Sequence, residues 1–319
     1  SCHYYVGRAG LMEILFLLGL LPLLLLFGGS DEPPEVDNGR MPEDEVIEGG
    51  NSPTEGDSID GGDGFDLIFG RAGPDQLDGG ADADIVVGES WGDTLSGGDG
   101  VDLLVGGGGD DVLSGDGDDD DLLGGAGDDD LQGGDGNDGL IDVSGRDTLS
   151  GGEGDDLLGA LDVAGRFDPS FLISDEVTTG LLGLVADFYG DDVSAGQITR
   201  LGEAINSADG DTSADVLDGG GGNDDLVGDL GDTLTGGEGN DFFSVVNDGA
   251  LDACTITDYD PATEGLEILV WDAAPNVISV VDNPGGDGAF VQVDGETAAW
   301  LQGVTAASVN LGAISTRFI

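Results

Sequence analysis

The sequence predicts an all-β-dominated protein in which short repeats stack into two arrays, separated by a small helical insert and followed by a C-terminal β-region. Three observations predict it. A nine-residue period runs from Gly61 to Gly159 and returns between Gly210 and Ser244. Glycine supplies 63 of the 319 residues, about 20% where about 7% is usual. Beyond Ser244, short runs such as LEILVW, NVISVV and AFVQV replace the glycine-rich pattern, and their β-branched residues read as strands.

Residues 1–30 hold a hydrophobic anchor or signal. From Ile14 to Phe27 the chain reads ILFLLGLLPLLLLF, without a charge. A bilayer span usually takes about 20 apolar residues, and runs of about 10–14 are more often signal cores or buried helices, so the length favours a secretory signal. The flanks favour an uncleaved anchor, because no A-x-A site follows, Pro22 interrupts the run and Arg8 is the only positive charge near it. Either way, residues 14–27 tether or export a body that ends outside the cell, since no positive charge closely follows the run. Residues 31–51, rich in Pro, Glu and Asp, read as a solvated acidic linker.

Residues 52–159 form the first array. From Gly61 it divides into eleven nonapeptides, among them GGDGFDLIF, GGDGVDLLV, GGAGDDDLQ and GGDGNDGLI. Position six is always aspartate: Asp66, Asp75, Asp84, Asp93, Asp102, Asp111, Asp120, Asp129, Asp138, Asp147 and Asp156. Position eight is always apolar, from Ile68 to Leu158, and residues 52–60 keep Asp57 and Ile59 in the same register. Residues 160–209 contain FLISDEVTTGLLGLVADFYG and AGQITRLGEAIN, whose apolar spacing suggests two glycine-interrupted helices lying against one side of the arrays. Residues 210–244 form the second array, in which the unit GDLGDTLT is one residue short. Residues 245–319 read as a β cap, with Asp294-Gly295 as a hairpin turn.

A nine-residue unit buries nothing alone, so successive units must stack, each placing its position-eight side chain in a shared narrow core. Glycines at positions one, two and four allow positive φ and close backbone approach, which turns carbonyl oxygens toward the position-six carboxylate. Calcium takes six to eight oxygen ligands in irregular geometry, whereas magnesium demands a strict octahedron. A site without His or Cys argues against zinc and copper. These units resemble the hemolysin-type calcium-binding repeats of the RTX (repeats-in-toxin) proteins, with consensus G-G-x-G-x-D-x-U-x. The resemblance implies a parallel β-roll with two nonapeptides per turn, and several calcium ions held between turns. It implies as ligands the carboxylates of Asp66, Asp84, Asp102, Asp111, Asp120, Asp129, Asp138, Asp147, Asp156, Asp215, Asp224 and Asp241. Turn carbonyls would come from Gly62, Gly64, Gly98, Gly100, Gly107, Gly109, Gly125, Gly127, Gly134, Gly136, Gly152, Gly154, Gly220, Gly222, Gly237 and Gly239. The consensus is broken where Arg71, Glu89, Asp116 and Val143 replace the second glycine, where Asp82, Trp91 and Asp118 replace the third, and where Asp142 replaces the first.

Composition excludes several functions. With 68 acidic and 7 basic residues and a formal charge of -61, the chain cannot attract nucleic acid, which needs clustered Lys or Arg. The only histidine is His3, which removes histidine triads and most general-base chemistry. Cys2 and Cys254 form neither a disulfide framework nor a zinc site. Ser90 sits in a G-x-S-x-G match, but inside the repeat register and with no histidine downstream. Residues 134–139 match G-x-G-x-x-G without a strand-helix unit around them. The expected function is therefore calcium binding in a secreted or surface-tethered structural or adhesive protein that folds on binding its ions. Its expected partner is calcium, and the residues single out no particular surface or polymer. The alternative is a calcium-dependent secreted enzyme with its active site in the insert or the C-terminal region.

Overall fold

The computed structural model describes residues 45–142, 144–160, 214–229, 231–247, 253–270 and 277–318. Among the described residues there are strands and turns and no helix, and none of them forms a helix long and apolar enough to cross a membrane. The expected helical insert at 160–209 falls outside the described residues except for Ala160, which ends a strand, and so gains no support. The hydrophobic run at 14–27 also lies outside them. The chain divides into two compact units, whose described parts are residues 45–125 and 126–318.

In the first unit the strands are β1 (Val46–Glu48), β2 (Ser58–Asp63), β3 (Leu67–Ala72), β4 (Gln76–Ala81), β5 (Ile85–Ser90), β6 (Thr94–Asp99), β7 (Leu103–Gly108), β8 (Val112–Gly117) and β9, which starts at Asp121. The nonapeptide dictates this arrangement. Each one supplies one turn and one strand, so successive strands fall into alternate sheets and each pairs in parallel with the strand two units on. Leu67 lies opposite Ile85 and Ile85 opposite Leu103 in one sheet, while Leu77 lies opposite Leu95 and Leu95 opposite Leu113 in the other. The result is a parallel β-roll. It starts earlier than the period does, because β1, in the acidic segment, pairs with β3.

Position eight fills the space between the sheets. Ile68, Leu77, Val86, Leu95, Leu104, Leu113 and Leu122 are all buried, a column one side chain wide in which each residue contributes about 1.5–3 kcal/mol of hydrophobic stabilisation. The two sheets differ on their outer faces. Even strands alternate, with Leu77 buried between the exposed Gln76 and Asp78. Odd strands are buried through Leu67-Ile68-Phe69, Ile85-Val86-Val87 and Leu103-Leu104-Val105, the continuous apolar run of a strand covered on both sides.

The second unit contains β10 (Asp130–Asp135), β11 (Gly139–Asp142), β12 (Thr148–Glu153), β13 (Leu157–Ala160), β14 (Val216–Gly221), β15 (Asp225–Gly228), β16 (Thr233–Glu238), β17 (Phe242–Asn247), β18 (Cys254–Ile256), β19 (Gly265–Val270), β20 (Ile278–Asp282), β21 (Gly288–Val293), β22 (Glu296–Gln302) and β23 (Ile314–Phe318). One sheet runs β11-β13-β15-β17-β19-β23 and the other β10-β12-β14-β16-β18-β22-β21-β20. Pairing is parallel except at β20-β21 and β21-β22. The two arrays separated in the sequence are joined here: Thr148 lies opposite Val216 and Leu157 opposite Asp225, so the long intervening segment takes the place of a single turn. The shortened unit is absorbed as well, with Val216 opposite Thr233. The expected hairpin is present, and Asp294 and Gly295 have φ of 54° and 93°, both positive as a two-residue type I′ turn requires.

The turns need left-handed backbone at positions two and four. A Cβ on Gly80 would run into the carbonyl oxygen of Gly62 one level away, so the stack leaves no room for a side chain in its ordinary direction. Where the sequence replaces these glycines, Arg71, Asp82, Glu89, Trp91, Asp116 and Asp118 still hold φ between 71° and 85°. That conformation costs a non-glycine residue about 1–2 kcal/mol. Trp91→Gly is accordingly expected to raise stability by about 1 kcal/mol, because the indole is 51% exposed and little burial is lost. Leu104→Asp is expected to abolish cooperative unfolding of the first unit, since a charge in so narrow a column can be neither hydrated nor paired. Urea titrations in saturating calcium measure both.

Candidate metal centre

A ladder of carboxylates runs beside the apolar column. In the first unit, Oδ1 of each position-six aspartate from Asp75 on accepts the backbone N–H of the position-six aspartate two units earlier: Asp75 from Asp57, Asp84 from Asp66, Asp93 from Asp75, Asp102 from Asp84, Asp111 from Asp93 and Asp120 from Asp102, at 2.7–2.8 Å, while Asp66 accepts the N–H of Glu45 at 2.6 Å. The second unit repeats it. Asp129 and Asp138 donate to Asp147 and Asp156, which donate to Asp215 and Asp224, which donate to Asp232 and Asp241, at 2.8–3.1 Å. The Asp147–Asp215 step spans 68 residues and the Asp215–Asp232 step 17, where the regular step is 18. The ladder therefore follows the rungs rather than the sequence.

The second oxygen of these carboxylates points inward. Oδ2 of Asp75, Asp84, Asp93, Asp102, Asp224 and Asp241 is buried and has no hydrogen-bond partner. It lies over the position-one glycine of its own unit: a Cβ on Gly70 would come within 2.6 Å of Oδ2 of Asp75, and one on Gly79 within 2.6 Å of Oδ2 of Asp84. That proximity is the physical reason for glycine at position one. Burial pushes the carboxyl of Asp84 up to about 8, and those of Asp93 and Asp102 to about 7, although the N–H groups of Asp66, Asp75 and Asp84 pull them down; neighbouring carboxylates push further. Burial does the same to Asp215, up to about 8, and to Asp147 and Asp224, up to about 7.

Such a row needs either protons or cations. The donors are oxygens on closely spaced turns, with no imidazole among the described residues, so the residues present fit a hard divalent cation of calcium's kind. Of the sequence-expected turn glycines, all but Gly239 have positive φ. One level departs from the pattern. Asp142, at a position-one site, brings its carboxylate within 4.8 Å of those of Asp129 and Asp147, all three buried, and burial raises its pKa well above the ordinary value, with Asp147 and Asp129 adding repulsion.

The carboxylate ladder extends beyond the sequence-expected ligand residues. Asp75 and Asp93 share the geometry of their neighbours, although their units carry Arg71, Glu89 and Trp91 in place of consensus glycines. Position six alone, without the glycines, is the signal that finds them. Asp232, in the shortened unit, is fully buried and accepts the N–H groups of Asp215 and Asp229 at 2.9 and 2.6 Å. A register moved by one residue would have identified it.

The family model described as the RTX calcium-binding nonapeptide repeat (4 copies) matches residues 56–90, 92–122, 114–141, 132–160, 202–232 and 232–244. No curated protein matches the chain.

The raised carboxyl values fix the sign of a pH effect. Since they lie above the ordinary aspartate value of 3.8, the cation-free roll has its full carboxyl contribution to stability only below about pH 4 and loses it as pH rises through 7 to 8. In chelator, acidification from pH 8 to 4 is therefore expected to increase the β signal in circular dichroism. Saturating calcium is expected to remove that dependence.

Proposed function

We propose, from the premise that residues 56–244 carry repeats of the RTX calcium-binding nonapeptide family, that this protein is a calcium-loaded structural roll working outside the cell, and that it folds when its ions bind. The observation that carries the reading is the row of buried Oδ2 atoms without hydrogen-bond partners at Asp75, Asp84, Asp93, Asp102, Asp224 and Asp241. Calcium supplies the positive charge that lets these carboxylates stay ionised in the fold. The chain's own part is to hold them in place. Backbone N–H groups fix one oxygen of each carboxylate, glycines keep the space beside the other open, and the apolar column keeps the rungs in register.

Binding is then linked to folding. At a free concentration 100 times the dissociation constant, each site adds about 2.7 kcal/mol if only the folded chain binds. An extracellular setting fits this mechanism, because sites of the affinity usual outside cells, about 10⁻⁴–10⁻³ M, would not fill in a calcium-poor cytosol. We read the role as structural or adhesive rather than catalytic. Ser90, whose G-x-S-x-G match falls inside the repeat register, donates a hydrogen bond to the Arg71 carbonyl at 3.0 Å.

Circular dichroism of the full chain, with chelator and then with calcium, tests the proposal. The expected result is a weak β signal in chelator at neutral pH and a cooperative gain on titration with calcium. A full β signal that persists without calcium would overturn it.

A further inference from the structure

We propose that residues 258–264, beyond the last nonapeptide, complete one more calcium-class cation site on the final rung of the roll, with Asp241 and Glu264 as carboxylate ligands. This rests on the calcium reading above and extends it past the repeat pattern, which ends at Ser244.

Strand register carries the inference. β17 pairs with β19 so that Phe242 lies opposite Gly265, and Gly265 N–H donates to the Asp241 carbonyl at 2.9 Å. The same bond links Asp225 to Asp156 and Phe242 to Asp224 on the preceding rungs, at 2.8 Å each. In each case the residue just before the donor is the position-six residue of its rung. The series Asp156, Asp224, Asp241 therefore continues onto Glu264. The glutamate has no glycine pair before it, so no repeat pattern registers it, yet the strand register places it where the next carboxylate belongs.

The neighbourhood is prepared for a cation. Asp241 is 1% exposed, and its Oδ2 has no hydrogen-bond partner; it lies over Gly236. Asp258 comes to the same glycine, its two oxygens accepting Gly236 N–H at 3.0 Å and Gly237 N–H at 2.9 Å. Oε2 of Glu264 accepts Asp260 N–H at 2.7 Å, so one oxygen is fixed by backbone, here from four residues earlier rather than from the preceding rung. The charges of Asp241, Asp258 and Asp260 all bear on Glu264. Arg317, on the adjoining strand β23, pairs instead with Glu267 at 3.2 Å. The other row of the roll ends differently. There Thr233 lies opposite Thr255, so the row Asp215, Asp232 continues onto the buried Cys254, which offers no oxygen.

Counting bound calcium per full-length chain, by equilibrium dialysis and atomic absorption, tests the site. Glu264→Gln, which keeps an oxygen for Asp260 N–H, is expected to bind one ion fewer than wild type. A wild type that binds calcium and a Glu264→Gln chain with the same count would overturn this inference alone. A wild type that binds none would overturn the proposed function as well. A second measurement does not depend on that variant's folding. The Tyr259 hydroxyl donates to the Glu264 carbonyl at 3.4 Å, so terbium bound at this rung should be sensitised through that ring. Tyr259→Phe is expected to reduce tyrosine-excited terbium emission at an unchanged ion count, and undiminished emission would overturn the inference.

Discussion

The hydrogen bond from the backbone N–H of one position-six aspartate to the carboxylate of the next, two units on, governs everything else in this roll. It ties adjacent rungs at the edge of the apolar column and fixes the side-chain rotamer. It also decides where the second oxygen goes. Because Oδ1 is held by the neighbouring rung, Oδ2 is driven over the position-one glycine and away from water. The ladder that gives the fold its regularity is thus the device that accumulates buried negative charge.

Two opposed terms follow. The position-eight column stabilises the roll rung by rung, and its residues Leu104, Leu113 and Leu131 are wholly buried. The carboxylate rows oppose it, since a buried charge without a partner is far more costly than a methyl group is favourable. In a chain of formal charge -61, long-range repulsion adds to the local penalty. On the proposed calcium reading, a bound divalent ion would offset the electrostatic part without touching the apolar part, so that the column sets what fold is available and the cation whether it is populated.

Much of this was legible in the sequence because the period couples the two terms. Asp102 and Leu104 recur together every nine residues, so reading one row gives the other, and the parallel roll follows from stacking. The extent of the carboxylate ladder was less legible, because the consensus treats glycine identity as necessary. The turn needs only the backbone conformation. Arg71 and Trp91 adopt it at a cost, and Asp75 and Asp93 stay in the ladder. Asp232 is displaced only by the one residue its unit lacks, whereas the place of Glu264 is set by cross-strand register, with Gly265 opposite Phe242, and no local spacing encodes that. The difference between the two sheets was present in the sequence as a second, eighteen-residue period, apolar endings LIF, IVV and LLV alternating with QLD, TLS and VLS.

The junction between β13 and β14 has a consequence for how such a chain can change. Asp147 and Asp215 meet as neighbouring rungs although 68 residues apart, and the connection leaves at Ala160 and returns before Val216 with pairing undisturbed on both sides. Rungs in a sheet are about 4.8 Å apart, and closing a longer loop costs only about 0.6 kcal/mol for each doubling of its length. The turn between β13 and β14 is therefore a socket. A foreign domain with adjacent termini could replace such a turn at little thermodynamic cost, so the strand pairing on either side places few demands on what the connection contains.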